Sequence, residues 1–246
     1  MKSSADWVIT RVEAATSSSD LVRHAASLDA PEGTGFLVDT QTAGRGRRGA
    51  KWSSQQGGMY YSLLLHPSFP LDQWFGMSFV ACLAIRDVIA SHLPGHKVGL
   101  KWPNDVLVQD KGKICGILIE ADGRNLILGT GVNIVPVAPL AGARLPAVAL
   151  QDFGGDDVTS FDLACAYRDQ LFRRYTAFAS DGFAPVRREW LDHCLHIDAS
   201  LTVHLADTMI TGRFADLGAD GTLHLVDDKG TRHNVSTGDV ELMGTA

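Results

Sequence analysis

The chain has 246 residues, of which 45% are hydrophobic and 20% are charged, and its formal net charge is −6. This length allows one large domain, or a large domain followed by a small one, and it excludes a miniprotein held together by disulfides. The apolar content argues against a disordered chain, because enough apolar surface is available to offset the entropy lost on folding. The negative charge makes the protein a poor nonspecific binder of nucleic acid, so an anionic ligand has to meet a local basic cluster.

The amino terminus, one uncharged stretch and the cysteines indicate a soluble cytoplasmic protein. The chain reaches Trp7 without the apolar core of a signal peptide, so we do not expect secretion. The uncharged stretch 125–143 is interrupted by glycine and proline, which predicts a buried strand and loop and no membrane span. The cysteines are dispersed without a CxxC pair, which predicts reduced thiols packed in the core. They are Cys82, Cys115, Cys165 and Cys194.

The first part of the chain predicts a mixture of helices and strands. A polar run at residues 16–20 precedes apolar residues at helical spacing, which predicts a short helix capped by a serine. Residues 74–93 predict a core helix that stops at a Pro-Gly pair. Short apolar runs between turn signals predict strands, with a hairpin turn at residues 110–112. These strands are 36–38, 59–65, 98–102, 106–108, 114–120 and 126–134.

The remainder of the chain predicts two helices followed by closely spaced strands. The helices cover residues 160–178 and 186–191. Beyond His196 the predicted strands are 201–205, 209–214, 222–226 and 233–236. Such short strands over about fifty residues are typical of a small β-barrel. We therefore predict an α+β fold, with a mixed central sheet and helices in residues 1–195 and a separate β-barrel domain in residues 196–246.

The most informative segment is GRGRRG at residues 44–49, followed by Lys51 and Trp52. Four cations and no acid fall within the eight residues 45–52, which makes a local trap for anions in an acidic protein. The three glycines allow the backbone to approach a ligand closely. A flexible or solvated charged loop has the same composition. The position between two predicted strands favours a loop that is ordered or becomes ordered around a ligand.

Three later segments combine polar side chains with predicted strands. KWPND at residues 101–105 carries side chains that can orient a phosphate or its metal ion, although a polar hairpin has the same pattern. GKICGILIE at residues 112–120 places Lys113 at the mouth of an apolar strand, where it can stabilise a developing charge or simply occupy an exposed turn. GTGVNI at residues 129–134 places glycines inside a strand, which indicates either close approach of a ligand or a β-bulge.

The order of these segments resembles that of the biotin protein ligases. The series GRGRRG, KWPND, GKICGILIE and GTGVNI follows a polar helix start, TSSSD, at residues 16–20. The resemblance extends over nearly the whole chain, and the glycine-arginine segment with KWPND at this separation is highly specific for that family. It implies a central domain like the catalytic domain of class II aminoacyl-tRNA synthetases, followed by an SH3-like barrel.

The resemblance also implies an activity. Such enzymes condense biotin with ATP, which brings Mg²⁺, to give biotinyl-5′-AMP and pyrophosphate, and then pass the biotinyl group to one lysine of a carboxylase carrier domain. The physical requirements agree, since a carboxylate and a triphosphate repel each other and need several fixed cations to come together. A reactive acyl-adenylate also needs protection from water, which a glycine-rich loop that closes over it provides.

Residues of this chain fall on the ligand-binding motifs of that family, with Ser19 where the family usually has asparagine. The set implied for biotin is Ser17, Ser18, Ser19, Gln41, Arg45, Arg47, Lys113 and Gly116. The set implied for ATP and the adenylate is Arg45, Arg47, Arg48, Trp52, Asn104, Lys113 and Asn133. Lys113, Arg45 and Arg47 are implied to be catalytic. Magnesium is expected near Asn104, with no side chain assigned as its ligand.

Two other functions fit parts of the sequence. A lipoate or octanoate ligase or transferase has the same fold, but the lipoate families lack the pair of the arginine-rich loop and KWPND. An RNA-binding module can use an RGRR segment, but the net charge of −6 argues against it. Only about fifteen residues precede the predicted first helix, too few for a helix-turn-helix, so we predict no operator DNA binding. A homodimer is possible through an exposed strand edge, which can equally receive the carrier domain.

Overall fold

Two β-sheets form the framework of the protein, as seen in a computed structural model that describes residues 3–138, 145–205 and 208–242. The strands of the first sheet are β1 (Val8–Ala15), β2 (Thr34–Gln41), β3 (Met59–Leu65), β4 (Val98–Lys101), β5 (Asp105–Val108), β6 (Gly112–Asp122) and β7 (Asn125–Val132). Those of the second, C-terminal sheet are β8 (Ser200–His204), β9 (Met209–Leu217), β10 (Leu223–Val226), β11 (Arg232–Val235) and β12 (Asp239–Leu242). The helices are α1 (Ser18–Ser27), α2 (Gly76–His92), α3 (Ser160–Asp181) and α4 (Phe183–Asp192). Short 3-10 helices cover Ser4–Asp6, Arg47–Gly49, Leu71–Gln73 and Leu150–Phe153.

The first sheet is mixed, with the strand order β1-β2-β3-β7-β6-β5-β4. Among the described strands of this sheet, only β1 and β2 pair in parallel, joined through α1 as a β-α-β unit, whereas the other neighbouring strands are antiparallel. The predicted hairpin at residues 110–112 joins β5 to β6. This sheet with its helices, followed by a small antiparallel sheet, confirms the predicted α+β fold.

The helices cover the two faces of the first sheet unequally. α2 packs against α3, α4 and strands β4 to β6, and this side holds the main hydrophobic core. α1 lies on the opposite face over β2, β3 and β7, where Val22, Leu64 and Ile127 form a small separate cluster. The N-cap is Ser17, whose hydroxyl accepts a hydrogen bond from the Asp20 amide, as the capped helix predicted from the sequence requires. The polar side chains at the amino terminus of α1 therefore lie on this face of the sheet.

An ionic cluster centred on Arg174 ties the three helices of the core side together. The guanidinium of Arg174, on α3, donates to Glu189 of α4 at 2.8 and 2.6 Å and to Asp87 of α2 at 2.5 Å. All three side chains are partly withdrawn from solvent, and Asp87 also accepts from Arg86 at 3.0 Å, so Arg174 is shared between two carboxylates of different helices.

Replacing Arg174 by methionine is expected to lower the free energy of unfolding by about 2 kcal/mol, because Glu189 loses its counter-ion and Asp87 keeps only its contact with Arg86 at 3.0 Å. Arg124→Met is the matched control, since Arg124 pairs with Asp29 where both side chains are more than two-thirds exposed. That change should cost about 0.5 kcal/mol or less. Equilibrium urea unfolding measures both, and equal losses would contradict the assignment.

The C-terminal sheet has the order β11-β10-β9-β8-β12 and is anchored to the first sheet by buried contacts. The indole Nε1 of Trp102 donates to the carbonyl of Gly221 at 3.0 Å, and Trp102 is only 2% exposed. A Cβ at Gly221 would lie 2.7 Å from the Phe75 ring, so a glycine is needed where the β9–β10 turn meets α2. Arg187 of α4 adds a double contact to Asp216 at 2.6 and 2.7 Å. Trp102 of the KWPND segment therefore joins the two sheets.

The structure extends several sequence predictions and corrects others. β1 and β12 were not predicted, and β2 is longer at both ends than the predicted 36–38. Cys82, Cys115 and Cys194 are buried free thiols as expected, but Cys165 is only half-buried. Of the uncharged stretch 125–143, residues up to 132 form β7, and residues 139–143 lie outside the described part of the chain. Within the described residues, every helix falls short of the length or apolar character that a bilayer crossing requires.

Candidate active site

A cleft opens on the α1 face of the first sheet, between the amino terminus of α1, the segment 44–52 and strands β3, β6 and β7. Polar and charged side chains provide most of its walls, and the backbone of the sheet provides its floor. The lining residues are Ser17, Ser18, Ser19, Gln41, Arg45, Gly46, Arg47, Ala50, Lys51, Trp52, Tyr60, Ser62, Asn104, Asp105, Lys113, Gly116, Ile117, Leu118, Gly129, Thr130, Gly131 and Asp239.

Small residues on neighbouring strands form the floor of the cleft. Gly131 of β7 lies opposite Tyr60 of β3 and opposite Gly116 of β6, and Gly129 lies opposite Ser62. The pairing of β7 with both neighbours is unbroken through these positions, so the interpretation of these glycines as a β-bulge is wrong. The glycines instead leave room above the sheet.

The indole of Trp52 occupies part of that room. A Cβ built on Gly131 would lie 2.6 Å from Cε2 and Nε1 of Trp52, and one built on Gly116 would lie 3.0 Å from its Cζ3. The Nε1 atom is buried without a hydrogen-bond partner among the described residues. The Lys113 ammonium lies 5.2 Å from the centre of the indole ring, within the range of a cation–π contact. Trp52 is therefore a side wall seated on glycine, with Lys113 at its edge.

A chain of hydroxyl groups lines the cleft at the start of α1. The Ser62 hydroxyl lies 2.7 Å from that of Ser18 and 3.1 Å from that of Ser19. The Gln41 carbonyl accepts from the Ser18 amide at 2.7 Å, while its amide nitrogen donates to Ser54 at 2.7 Å. These contacts fix which way the Gln41 amide faces. Because hydroxyls both donate and accept, this wall suits a neutral ligand group that carries N–H and C=O together.

Arg45 is held at the same wall by a carboxylate. Its guanidinium donates to both oxygens of Asp20, at 2.6 and 3.1 Å. This contact lowers the pKa of Asp20 to about 2, against the partial burial that opposes it. The Arg45 guanidinium therefore lines the cleft as one member of an ion pair with Asp20.

A depressed pKa in the folded state gives Asp20 a stabilising effect that is complete above the ordinary carboxylate range and is lost as the pH falls toward 2. Arg45→Gln should raise the pKa of Asp20 toward its ordinary value of 3.8. NMR titration of the side-chain carboxylate measures this shift. Arg23→Gln is the control, because Arg23 makes a single, longer contact of 3.2 Å to Asp20 and its loss should move that pKa less. Equal shifts in the two variants would contradict the pairing.

Lys113 is fixed by Asp105 at the opposite end of the cleft from the serines. Its Nζ lies 2.6 Å from Oδ1 of Asp105, and Nζ of Lys101 lies 3.9 Å from Oδ2 of the same carboxylate. The Asp105 carboxylate therefore bridges two lysines from strands β4 and β6. This geometry favours the interpretation of Lys113 as an ordered cation in the cleft over an exposed turn lysine.

The side chains of Arg47 and Arg48, in the segment 44–49, extend in different directions. Arg47 reaches Asn104, whose carbonyl oxygen accepts from Nη1 at 3.3 Å, and Asn104 itself donates to the Ile117 carbonyl at 2.5 Å. Arg48 has a left-handed backbone, with φ of 53°, and extends away from the cleft to the C-terminal sheet. Burial lowers the pKa of Arg47, with nearby Asp239 opposing this.

The structure brings most of the predicted site residues together. All of them line the cleft except Arg48 and Asn133. Asn133 lies just beyond β7, where its amide donates to the Val148 carbonyl at 3.1 Å and holds a neighbouring segment. Sequence reasoning missed Ser62 and Asp239, which line the cleft. A serine inside the apolar and aromatic run of β3 is a signal that could have indicated the first, whereas Asp239 carries none.

The oxygen donors near Arg47 bear on a possible metal ion. Within the described residues there is no cluster of three or more histidine, cysteine, aspartate or glutamate side chains that could hold one. Asn104 and Asp105 nevertheless place an amide oxygen and a carboxylate at the basic end of the cleft. Mg²⁺ is commonly held by one or two carboxylates together with substrate phosphates, so this donor set fits an ion that arrives with a nucleotide.

Comparisons with known proteins identify relatives that cover most of the chain. A model of the biotin/lipoate A/B protein ligase family matches residues 13–134. The biotin–acetyl-CoA-carboxylase ligase of Paracoccus denitrificans is 32% identical over 199 residues, which cover 77% of this chain and 82% of that protein. The bifunctional ligase/repressor BirA of Bacillus subtilis is 30% identical over 228 residues, 88% of this chain and 68% of that protein. The solved biotin protein ligase from Aquifex aeolicus in complex with biotin and ATP is similar with a TM-score of 0.83 and 25% identity, covering 96% of this chain and 99% of that one.

Proposed function

This chain belongs to the biotin protein ligases, and we propose that the cleft on the α1 face is where it joins biotin to ATP. The enzyme activates biotin as biotinyl-5′-AMP and transfers the biotinyl group to a lysine of a biotin carboxyl carrier domain. One observation carries the assignment of the cleft. A wall of hydroxyls, with the paired charges of Arg45 and Asp20 beside it, lies across a floor of glycine from the cations Arg47 and Lys113.

The two ends of the cleft match the two parts of biotin. We assign the ureido ring to the wall formed by Ser17, Ser18, Ser19 and Gln41, because that ring carries N–H donors and a carbonyl acceptor. Ser19 is smaller than the usual asparagine, and Ser62 places a further hydroxyl 3.1 Å from it. The carboxylate then lies toward Lys113. The acyl chain crosses the floor at Gly116, beside Trp52.

The cations of the cleft support the adenylation step. In that step an oxygen of the biotin carboxylate attacks the α-phosphorus of ATP, and the bond to the leaving pyrophosphate breaks. We assign Arg45, Arg47 and Lys113 to the carboxylate and the phosphates, because fixed cations reduce the repulsion between two anions and stabilise the charge that develops. Trp52 and Asn104 line the part of the cleft assigned to the nucleotide. Arg48 and Asn133 lie outside the cleft, so we assign them no contact with ATP.

Mg²⁺ accompanies ATP in this proposal. Asn104 and Asp105 are the residues that would hold it, and it would neutralise part of the phosphate charge. Transfer then requires the amine of the carrier lysine to attack the biotinyl carbonyl, with release of AMP.

Native mass spectrometry with Mg²⁺ and ATP tests the function, with biotin, lipoate or octanoate added in parallel. We expect a bound acyl-adenylate with biotin alone, and then a mass increase of a biotin carrier domain by one biotinyl group. The similarity to biotin ligases does not favour lipoate. An adduct with lipoate or octanoate alone would refute the assignment of biotin, and no adduct with any acid would refute the ligase activity.

We further propose a cytoplasmic location, activity without DNA binding, and a sheet edge that receives a second protein. Free thiols and dependence on ATP support a cytoplasmic location. The net charge of −6 and the pairing of cleft cations with carboxylates support action without DNA binding, although some relatives are ligase/repressors. The sheet ends at β1, whose side chains are largely exposed, and this edge suits a second copy of the chain or the carrier domain. Filter binding with DNA and sedimentation analysis test these points.

A further inference from the structure

Lys101, the first residue of the KWPND segment, is a buried cation beside the cleft. Its side chain is 9% exposed, and it does not belong to the described residues that line the cleft. The backbone of Leu100 donates to the His193 carbonyl at 2.9 Å and accepts from the Leu195 amide at 3.0 Å, which fixes the end of β4. Burying an ammonium group costs free energy unless a carboxylate accompanies it, so a lysine at this position needs a partner.

The partner is the carboxylate of Asp105. The two residues lie directly opposite each other in the β4–β5 pair, and Nζ of Lys101 is 3.9 Å from Oδ2 of Asp105. The other oxygen, Oδ1, lies 2.6 Å from Nζ of Lys113, which does line the cleft. A buried lysine and a cleft lysine therefore share one carboxylate, each through a different oxygen.

The three side chains together carry one net positive charge, whereas Lys113 and Asp105 alone would carry none. Because all three side chains are at most 27% exposed, solvent and salt screen their charges weakly. His196 does not supply the same charge, since burial and then the nearby charge of Lys101 lower its pKa to about 4. His196 is therefore neutral near pH 7, and the additional positive charge comes from Lys101.

We propose that Lys101 is a positioning residue, which offsets the charge of Asp105 and so leaves the Lys113 ammonium available to the anions in the cleft. The inference rests on the proposed function and gives a role to a residue outside the cleft. During adenylation the Lys113 ammonium has to turn from Asp105 toward the α-phosphate. With Lys101 present, Asp105 keeps a counter-ion when this happens. Without Lys101, a carboxylate of low exposure would lose its counter-ion, which costs free energy and opposes the movement of Lys113.

The first test replaces Lys101 by methionine, which removes the charge and leaves an apolar side chain at the buried position. We expect single-turnover formation of biotinyl-adenylate to slow about tenfold at saturating biotin, ATP and Mg²⁺, and both KM values to change less than about threefold. In an Asp105→Asn background the same substitution should slow the reaction less than about twofold, because no carboxylate charge is left to offset. Lys101→Gln, which keeps a polar end, provides the same comparison if Lys101→Met does not fold.

The second test follows Lys113 without any reaction. NMR of protein labelled with ¹⁵N-lysine detects the Nζ–H groups of ammonium ions held in ion pairs, and the Lys113 signal is the one lost in Lys113→Ala. Lys101→Met should shift this signal. Lys97→Met is the matched control, because Lys97 lies just before β4 and is exposed. It should leave the Lys113 signal and the rate of adenylation unchanged.

The inference is overturned by a wild-type rate in Lys101→Met, by an equal loss with and without the Asp105 carboxylate, or by an unshifted Lys113 signal. A loss of rate that excess Mg²⁺ abolishes would also overturn it, since Lys101 would then act on the metal ion. Wild-type protein that forms no biotinyl-adenylate would overturn the proposed function instead. The NMR comparison would then decide alone whether Lys101 acts on Lys113.

Discussion

Lys113→Ala is expected to lower the rate of biotinyl-adenylate formation by about 10² to 10³-fold, the typical cost of removing one fixed electrostatic stabiliser. Negative charge builds on the α-phosphate as the carboxylate attacks it, and Lys113 presents an ammonium held 2.6 Å from Asp105 and beside the Trp52 ring. Because the lysine is already fixed, its charge acts without reorganisation during the reaction. Single-turnover mass spectrometry of the adenylate, with biotin and ATP in excess over their KM values, measures this rate.

Lys111→Ala is the matched control for this prediction. Lys111 is two residues away in the β5–β6 turn, exposed, and absent from the cleft lining. Its removal should change neither the rate nor the unfolding temperature. Retention of adenylation within about threefold by Lys113→Ala would show that the developing charge is stabilised elsewhere.

Gly131→Ala is expected to reduce adenylation by about 100-fold while leaving the fold intact, because misplacement by about 1 Å near reacting groups has an effect of that size. The new methyl group would meet the Trp52 indole at 2.6 Å and force it off the floor. The displaced ring would then intrude on the space beside Trp52 that we assign to the acyl chain. Isothermal titration with biotin should show weakened binding alongside the slower reaction.

Gly123→Ala separates this effect from loss of stability. Gly123 is in the turn of the same β6–β7 hairpin, with φ of 60° and nothing within 4 Å of an added Cβ. It should lose about 1 kcal/mol of stability through backbone strain and keep full activity. Gly131→Ala with normal activity would mean that Trp52 does not define the cleft wall.

The predicted residues that line the cleft were recognisable from the sequence because their signals are local. Glycine and arginine in quick succession, or a lysine at the mouth of an apolar strand, are visible without knowledge of the fold. The differences among the three arginines are not visible, because the left-handed turn at Arg48 directs its side chain to a sheet that begins about 150 residues later. Asn133 belongs to a motif by sequence, but the chain leaves the sheet before it, and its amide is used by a backbone carbonyl.

The strands that sequence analysis missed likewise depend on contacts between residues distant in the sequence. β1 is an edge strand with Arg11 and Glu13 among its exposed residues, so it has no clear apolar alternation. Its partner β2 lies beyond a whole helix, and no turn signal marks a parallel pair. Likewise Ser62 and Asp239 reach the cleft through strand register and packing between sheets, which depend on contacts distant in sequence.

The strand order of the first sheet also bears on how the protein folds. β3 pairs with β7, and the segment between them contains α2 and three strands, so the glycine floor arises only when parts of the chain about seventy residues apart have met. Non-local pairings of this kind slow folding more than they alter stability. Biotin therefore has no surface to bind until β3 and β7 of the central sheet have paired. Added biotin should leave the refolding rate unchanged and slow unfolding, because it binds only the native state and stabilises that state after folding is complete.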